Sequence, residues 1–190
     1  MIINLYEVIN NPLPKLNIIK EIETEDKDIF KYTDKTVDFL NKYLHMNKLT
    51  SESIYAISLS SQLDCNGIIF VAKGTCTSCN NNFRELAQGL LLTGAETFEV
   101  YHNHPSGCTE PSDNDCKTTD SYVDLADILG INFEGHYLIA KDTYKECKGK
   151  EVDVFGEMIK VGNKKKKDEV NEDIKIFEEL KNIGNVKYIK

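Results

Sequence analysis

Two histidines and an aspartate have the chemical types and the spacing to bind one metal ion. His102 and His104 are separated by one residue at the end of a predicted strand, where side chains two residues apart project to the same side. Pro105 ends the strand because proline has no backbone N–H to donate. The turn at Ser106-Gly107 then leads to a predicted helix, and we expect the start of this helix to bring Asp115 back as a third ligand.

This ligand set predicts a catalytic zinc ion. Two histidines and one carboxylate leave a fourth coordination position open for water, which structural zinc sites do not. Each half of the pattern has an alternative interpretation, because a His-x-His pair is often incidental and Ser112 with Asp115 is also a helix capping box. The capping box and the metal site are compatible, since a capping serine also holds its helix start in place. The combination favours the metal site.

The run from His102 to Gly107, followed by Pro111-Ser112 and Asp115, resembles the JAMM signature of JAB/MPN domains and the RadC branch in particular. The similarity extends over residues 33–141, with further matching pairs and runs at Gly74-Thr75, Arg84-Glu85 and Leu129-Gly130-Ile131. It implies an α/β (α+β) fold, a mixed β-sheet flanked by helices in an MPN/JAB, cytidine-deaminase-like sandwich. It also implies a zinc-dependent hydrolase whose substrate is a peptide or an isopeptide-linked protein.

The resemblance implies two catalytic residues beside the ligands. Glu52 directly precedes a predicted strand and matches the family's upstream glutamate, the general base that takes a proton from water and passes it to the leaving group. Without the resemblance, Glu52 would be interpreted as an exposed charge leading a strand. Ser112 matches the residue that donates a hydrogen bond to the developing oxyanion or to the water. Asn103 is expected to point away from the metal and to support the loop.

The sequence also departs from the RadC pattern. RadC proteins commonly carry an N-terminal helix-hairpin-helix module, and we expect none here because too few residues precede position 33. Gly135 stands where the family usually has an aspartate before a histidine, so we expect His136 to be packed near the ligands without being one. The pair Cys76-x-x-Cys79 has zinc-knuckle spacing, but no second pair follows it, and reduced thiols are the favoured interpretation.

Charge and composition narrow the function classes. The net charge is -8 and Arg84 is the only arginine, which disfavours nucleic-acid binding. No signal sequence and no apolar run long enough to cross a bilayer are present, so we expect a cytoplasmic protein without membrane contact. Three functions stay open at this point: the zinc hydrolase, an accessory protein of DNA metabolism, and a non-catalytic interaction module held together by a metal. The oligomeric state is not predicted.

Hydrophobic periodicity predicts the elements that position these residues. A helix begins at Thr33 or Asp34, which can cap it. The predicted elements that follow are strands over 54–59 and 68–72 joined by a hairpin turn at Asn66-Gly67, a helix from Phe83 to a stop at Gly94, a strand over 98–101, a helix over 112–129 ending at Gly130, and a strand over 133–140.

Three segments are expected along the chain. Residues 1–32 form an N-terminal arm or a short edge element, and residues 33–147 form the RadC-like MPN/JAB domain. Residues 148–190 form a C-terminal hairpin, a lysine-rich linker over 164–167, which we interpret as solvated, and a final helix.

Overall fold

A computed structural model describes residues 1–74, 82–141 and 143–149. The described residues form seven strands and three α-helices. The strands are β1 (Ile2–Asn10), β2 (Pro14–Glu23), β3 (Ser53–Leu59), β4 (Cys65–Lys73), β5 (Thr97–Asn103), β6 (Asn132–Ala140) and β7 (Thr143–Glu146). The helices are α1 (Thr33–Leu44), α2 (Phe83–Thr93) and α3 (Asp113–Leu129).

All seven strands belong to one mixed sheet in the order β2-β1-β4-β3-β5-β6-β7. The pairs β1–β4 and β5–β6 are parallel, and the other neighbouring pairs are antiparallel. The predicted fold class, a mixed sheet flanked by helices, is therefore confirmed.

Helices cover both faces of the sheet. Ile68 belongs to the core that contains Val37 and Leu40 of α1. Its neighbour Ile69 points to the other face and meets α2 at Gly89, where an added Cβ would lie 2.9 Å from the Ile69 side chain. Every residue of β5, the strand that carries His102 and ends just before His104, is buried. A strand enclosed on both faces holds its side chains in fixed directions.

Two predicted helix ends are confirmed. Gly94 ends α2 and Gly130 ends α3, and both have a φ of 68°. This left-handed conformation costs glycine little because it has no Cβ. The predicted cap of α1 is wrong: Tyr32 is the N-cap without a side-chain hydrogen bond, and Thr33 and Asp34 lie inside the helix.

The predicted hairpin turn at Asn66-Gly67 is also wrong. The chain turns over 60–64, where the Ser60 side chain accepts hydrogen bonds from the backbone N–H groups of Gln62 and Asp64. Asn66 and Gly67 lie inside β4, where the register with β3 shifts. A Cβ at Gly67 would lie 2.5 Å from the Tyr6 ring, so this glycine allows a close approach of β1.

The N-terminal residues form more of the sheet than the arm or short edge element that was predicted. β1 and β2 form a long antiparallel hairpin, and β1 also pairs with β4. Most of β2 is exposed, so its sequence lacks the alternation of polar and apolar residues that marks a half-buried strand.

The predictions for Cys76 and Cys79 and for the C-terminal hairpin, linker and helix fall outside the described residues. Among the helices that are described, none has the length and apolar character needed to span a membrane.

Candidate metal centre

The three predicted ligands meet at the end of β5. His102 Nε2 lies 3.2 Å from His104 Nε2 and 3.4 Å from Asp115 Oδ1, and His104 Nε2 lies 3.6 Å from Asp115 Oδ2. Ligand atoms bound tetrahedrally to zinc at 2.0–2.1 Å lie about 3.3 Å from one another. The observed spacing therefore fits one zinc ion held by these three side chains.

The capping box at the start of α3 holds the Asp115 carboxylate in place. Asp115 Oδ2 accepts hydrogen bonds from the backbone N–H and from the hydroxyl of Ser112, both at 2.7 Å, and the Asp115 N–H donates to Ser112 Oγ. Burial raises the pKa of Asp115, but hydrogen bonds from His104 and Ser112 outweigh it and hold this pKa well below its usual range. The carboxylate is thus ionised, as a metal ligand must be.

The tautomer of His104 also suits a metal. Its Nδ1 lies 3.1 Å from the backbone oxygen of Cys108, and a carbonyl oxygen can only accept. Nδ1 therefore carries a hydrogen, which leaves Nε2 as the atom that would bind the ion in place of a second hydrogen. Burial lowers the pKa of His102 to about 4, so this imidazole is neutral at pH 7.

The loop between β5 and α3 is held against the neighbouring strands. The His104 N–H donates to the backbone oxygen of Ile139 on β6, and the Gly107 N–H donates to His104. Gly107 has a φ of 78° and lies against the Lys141 side chain. Lys145 on β7 pairs with Glu110 at 2.6 Å. These contacts tie both ends of the loop to β6 and β7.

Glu52 lies near His104 and Asp115. β3 and β5 are antiparallel with Ile54 opposite His102, so the residue two positions earlier falls opposite His104 on the same face. Burial raises the pKa of Glu52; the charge of His104 lowers it and that of Asp115 raises it further. Glu52 is not among the three grouped side chains, and its charge interactions with His104 and Asp115 indicate that it lies near both.

Asn103 holds the backbone on both sides of Glu52. Its side-chain oxygen accepts from the Ser53 N–H at 2.9 Å, and its Nδ2 donates to the Ser51 oxygen at 3.2 Å. The expected loop support is therefore a clamp on the segment that carries the predicted base.

Comparison with known proteins places this site in a family. A family model for the RadC-like JAB domain matches residues 30–151, well over half of the chain. The chain belongs to the RadC-like JAB domain family. Similar proteins include UPF0758 proteins of Staphylococcus epidermidis, 32% identical over 99 residues, Clostridioides difficile, 30% over 96, and Moorella thermoacetica, 30% over 103.

The matched part of this RadC-like JAB domain is only a portion of those relatives. The alignments cover 52%, 50% and 54% of this chain and 44%, 41% and 45% of the respective relatives. The chain thus spans less than half the length of the curated relatives it matches, and their printed names specify no reaction.

A second group lies behind the ligands of this RadC-like JAB domain. His102 also lies close to His136 and to Cys147, all three buried. The contact between His136 Nε2 and His102 Nδ1 is 2.8 Å, which is a hydrogen-bond distance. Burial lowers the pKa of His136 to about 3. Thr119 contacts His136 as well. No sequence motif indicated Thr119 or Cys147, because the β6–β7 hairpin and the packing of α3 bring them to this place.

Proposed function

We propose that this RadC-like JAB domain is a zinc-dependent hydrolase that cleaves an amide or isopeptide bond. The observation that carries the proposal is the meeting of three ligand side chains, whose nearest nitrogen and oxygen atoms lie 3.2–3.6 Å apart. A carboxylate that is not a ligand, Glu52, lies on the same face of the sheet.

The exposure of the side chains supports a catalytic centre. The His102 side chain is 5% exposed, whereas those of His104 and Asp115 are 13% and 17% exposed. The ion would therefore be anchored from behind by His102 and reached by solvent and substrate from the side of His104 and Glu52. A structural zinc site, in contrast, is closed by four protein ligands.

Glu52 and the bound ion have complementary roles in this proposal. Bound zinc acts as a Lewis acid and lowers the pKa of water from about 15.7 to about 7. The Glu52 carboxylate accepts a proton from the attacking water and delivers it to the leaving nitrogen. Its raised pKa makes it a better proton carrier near neutral pH than an exposed glutamate.

Ser112 has a more restricted role than the resemblance implies. In the structure its hydroxyl hydrogen is donated to Asp115, so it orients a ligand. Donation to the substrate oxyanion requires this hydroxyl to turn away from the carboxylate, and that step stays a prediction.

The proposed substrate is a peptide or an isopeptide-linked protein. Amide bonds resist hydrolysis by water, and a Lewis acid with a carboxylate base is a chemistry suited to them. The cytoplasmic location expected from the sequence is a prediction of the same kind.

Metal analysis tests the centre first. Purified wild-type protein should bind one zinc ion at this centre, and His104→Ala should lose it. His45→Asn is the matched control, because His45 is the one histidine of the four outside the site. Wild-type protein that binds no zinc, or His104→Ala that binds as much as the control, would contradict the proposal.

Turnover tests the chemistry. Glu52→Gln should keep its zinc and lose about 10²–10⁴-fold in the rate of hydrolysis, the range that general base catalysis contributes. Glu25→Gln, which alters an exposed carboxylate after β2, should retain the wild-type rate. Zinc-loaded wild type that is inert toward a broad panel of peptides and isopeptides would overturn the hydrolase and favour the interaction module. The hydrolase proposal would also be overturned, in favour of the DNA-metabolism role, if the protein hydrolyses nothing and binds DNA without zinc in a salt-sensitive way.

A further inference from the structure

A chain of buried hydrogen bonds leads away from His102. His136 Nε2 lies 2.8 Å from His102 Nδ1, the ring nitrogen that faces away from the other ligands, and His136 Nδ1 lies 2.9 Å from Thr119 Oγ1. His102, His136 and Thr119 are 4%, 2% and 5% exposed. In such a site each nitrogen and oxygen depends on protein partners, because water cannot replace them.

The surroundings of Thr119 favour one direction for the hydrogens in this chain. Its hydroxyl has one hydrogen, and its two other neighbours are the backbone oxygens of Asp115 at 2.9 Å and Cys147 at 3.4 Å. A carbonyl oxygen can only accept, so a hydroxyl that donates to the nearer one, that of Asp115, accepts from His136. In that arrangement Nδ1 of His136 carries its hydrogen.

The same reasoning passes to the next ring. A neutral imidazole with its hydrogen on Nδ1 has a lone pair on Nε2, so His136 Nε2 accepts. The partner that donates to it is His102 Nδ1. His102 Nε2 is then left with its lone pair directed at His104 and Asp115, where the ion would lie.

We propose that Thr119 and His136 are positioning residues that set the tautomer and the ring orientation of His102 for zinc binding. The inference rests on the proposed metal centre. This arrangement differs from that of His104, whose Nδ1 has a backbone carbonyl as its partner. Here a threonine on α3, one turn after Asp115, accepts from the histidine relay while it donates to a backbone carbonyl. One hydroxyl thus links the helix of the carboxylate ligand to the orientation of the histidine ligand.

The alternative is a second ion bound by His102, His136 and Cys147. The 2.8 Å between the two ring nitrogens is shorter than the roughly 3.3 Å between two ligands of a tetrahedral zinc ion. The Tyr122 ring also packs edge-on against the His136 ring, with centroids 5.2 Å apart and planes at 89°. This contact helps to hold the His136 ring in place. The geometry favours a hydrogen-bonded relay.

The tautomers are the direct test and need no metal. The full chain with ¹⁵N-labelled histidine, in its metal-free form at pH 7, should show His102 and His136 protonated on Nδ1 in long-range ¹H–¹⁵N spectra. Hydrogen on Nε2 of either ring would overturn the inference whether or not the protein is a hydrolase.

Zinc affinity is the second readout, measured by competition with a chromophoric chelator. Thr119→Val removes the hydroxyl at similar bulk and should lower zinc affinity about 10–100-fold, the usual effect of losing a partner behind a ligand. Thr119→Ser should restore affinity to within about 3-fold. Thr93→Val is the matched control, because Thr93 also donates to the carbonyl four residues earlier in its helix but lies on α2, outside the relay.

The possible results separate the two proposals. If wild type binds zinc and Thr119→Val binds it equally, with the His136 tautomer unchanged, the relay is wrong and the metal centre stands. If wild type binds no zinc, the metal centre is wrong, and the relay is judged by the tautomers alone. If Thr119→Val does not fold, Thr119→Ala removes the same hydroxyl with less bulk. A second zinc ion that stays bound in His104→Ala would favour the second ion site over the relay.

Discussion

Truncation of Asn103 to alanine tests whether this buried amide clamps the segment that carries Glu52. Asn103 is 1% exposed and bridges Ser53 N–H and the Ser51 oxygen. The shorter side chain cannot reach either group. We expect a less stable protein in which Glu52 is no longer held opposite His104.

The magnitude follows from the burial of each lost bond. The bond from Ser53 is buried, and a buried donor left without a partner costs about 1–3 kcal/mol. The bond to Ser51 is partly buried, and a net loss of about 0.5–1.5 kcal/mol applies there. The free energy of unfolding should therefore fall by roughly 2–4 kcal/mol, taking both bonds together.

Urea denaturation of wild type and Asn103→Ala measures this difference. Asn17→Ala is the matched control, because it removes the same amide from an exposed position of β2 where it donates to Glu7; its effect should stay within about 0.5 kcal/mol. In the hydrolysis assay, Asn103→Ala should lose turnover at saturating zinc. A loss of stability below about 1 kcal/mol, or one equal to that of Asn17→Ala, would refute the clamp.

Three further predictions follow from the electrostatics and the capping of the site and core. Hydrolysis should rise with pH through the raised pKa of Glu52, because only the carboxylate accepts a proton; an acid limb of kcat at or below pH 4.5 would contradict this. Ser112→Ala should lower the free energy of unfolding by about 0.5–2 kcal/mol through the lost cap and should weaken zinc binding in chelator competition, whereas Ser112→Thr should retain both. Burial raises the pKa of Glu99 from 4.5 to about 7. Between these two pH values Glu99 ionises in the unfolded chain but not in the folded one, so the stability of the wild type should fall as the pH rises. Glu99→Gln keeps an acceptor for Tyr101 and should exceed wild type by about 3 kcal/mol in urea denaturation at pH 8, with no gain at pH 4; equal curves at both pH values would contradict the burial argument.

The local patterns of the sequence were sufficient for the elements around the site. Period-two spacing placed His102 and His104 on one side of β5, and the capping pattern at Ser112 and Asp115 marked the start of α3; both features depend on neighbours within a few residues. The glycines that end α2 and α3 were predicted for the same reason, because a left-handed residue is a local requirement. The fold class followed from the order of these elements, and the family from the resemblance of the motif between His102 and Asp115.

The N-terminal hairpin and the turn before β4 depended on distant contacts. β1 belongs to the sheet through its parallel pairing with β4, some sixty residues further along the chain. Gly67 is needed because Tyr6 approaches it, and no pattern around Asn66-Gly67 distinguishes that close contact from a hairpin turn. Such long-range pairing decides which short polar or glycine-containing segments become strands.

The sequence by itself predicted the three candidate ligands, since their types and spacing suit a metal ion. Only the tertiary structure decided how each of these side chains is held. Asn103 reaches across to β3, and His136 and Thr119 come from β6 and α3 to the back of His102. These contacts join residues 17 to 50 positions apart, and a hydrogen bond between buried side chains has no signature in the local sequence because its geometry exists only after the sheet and helices have packed.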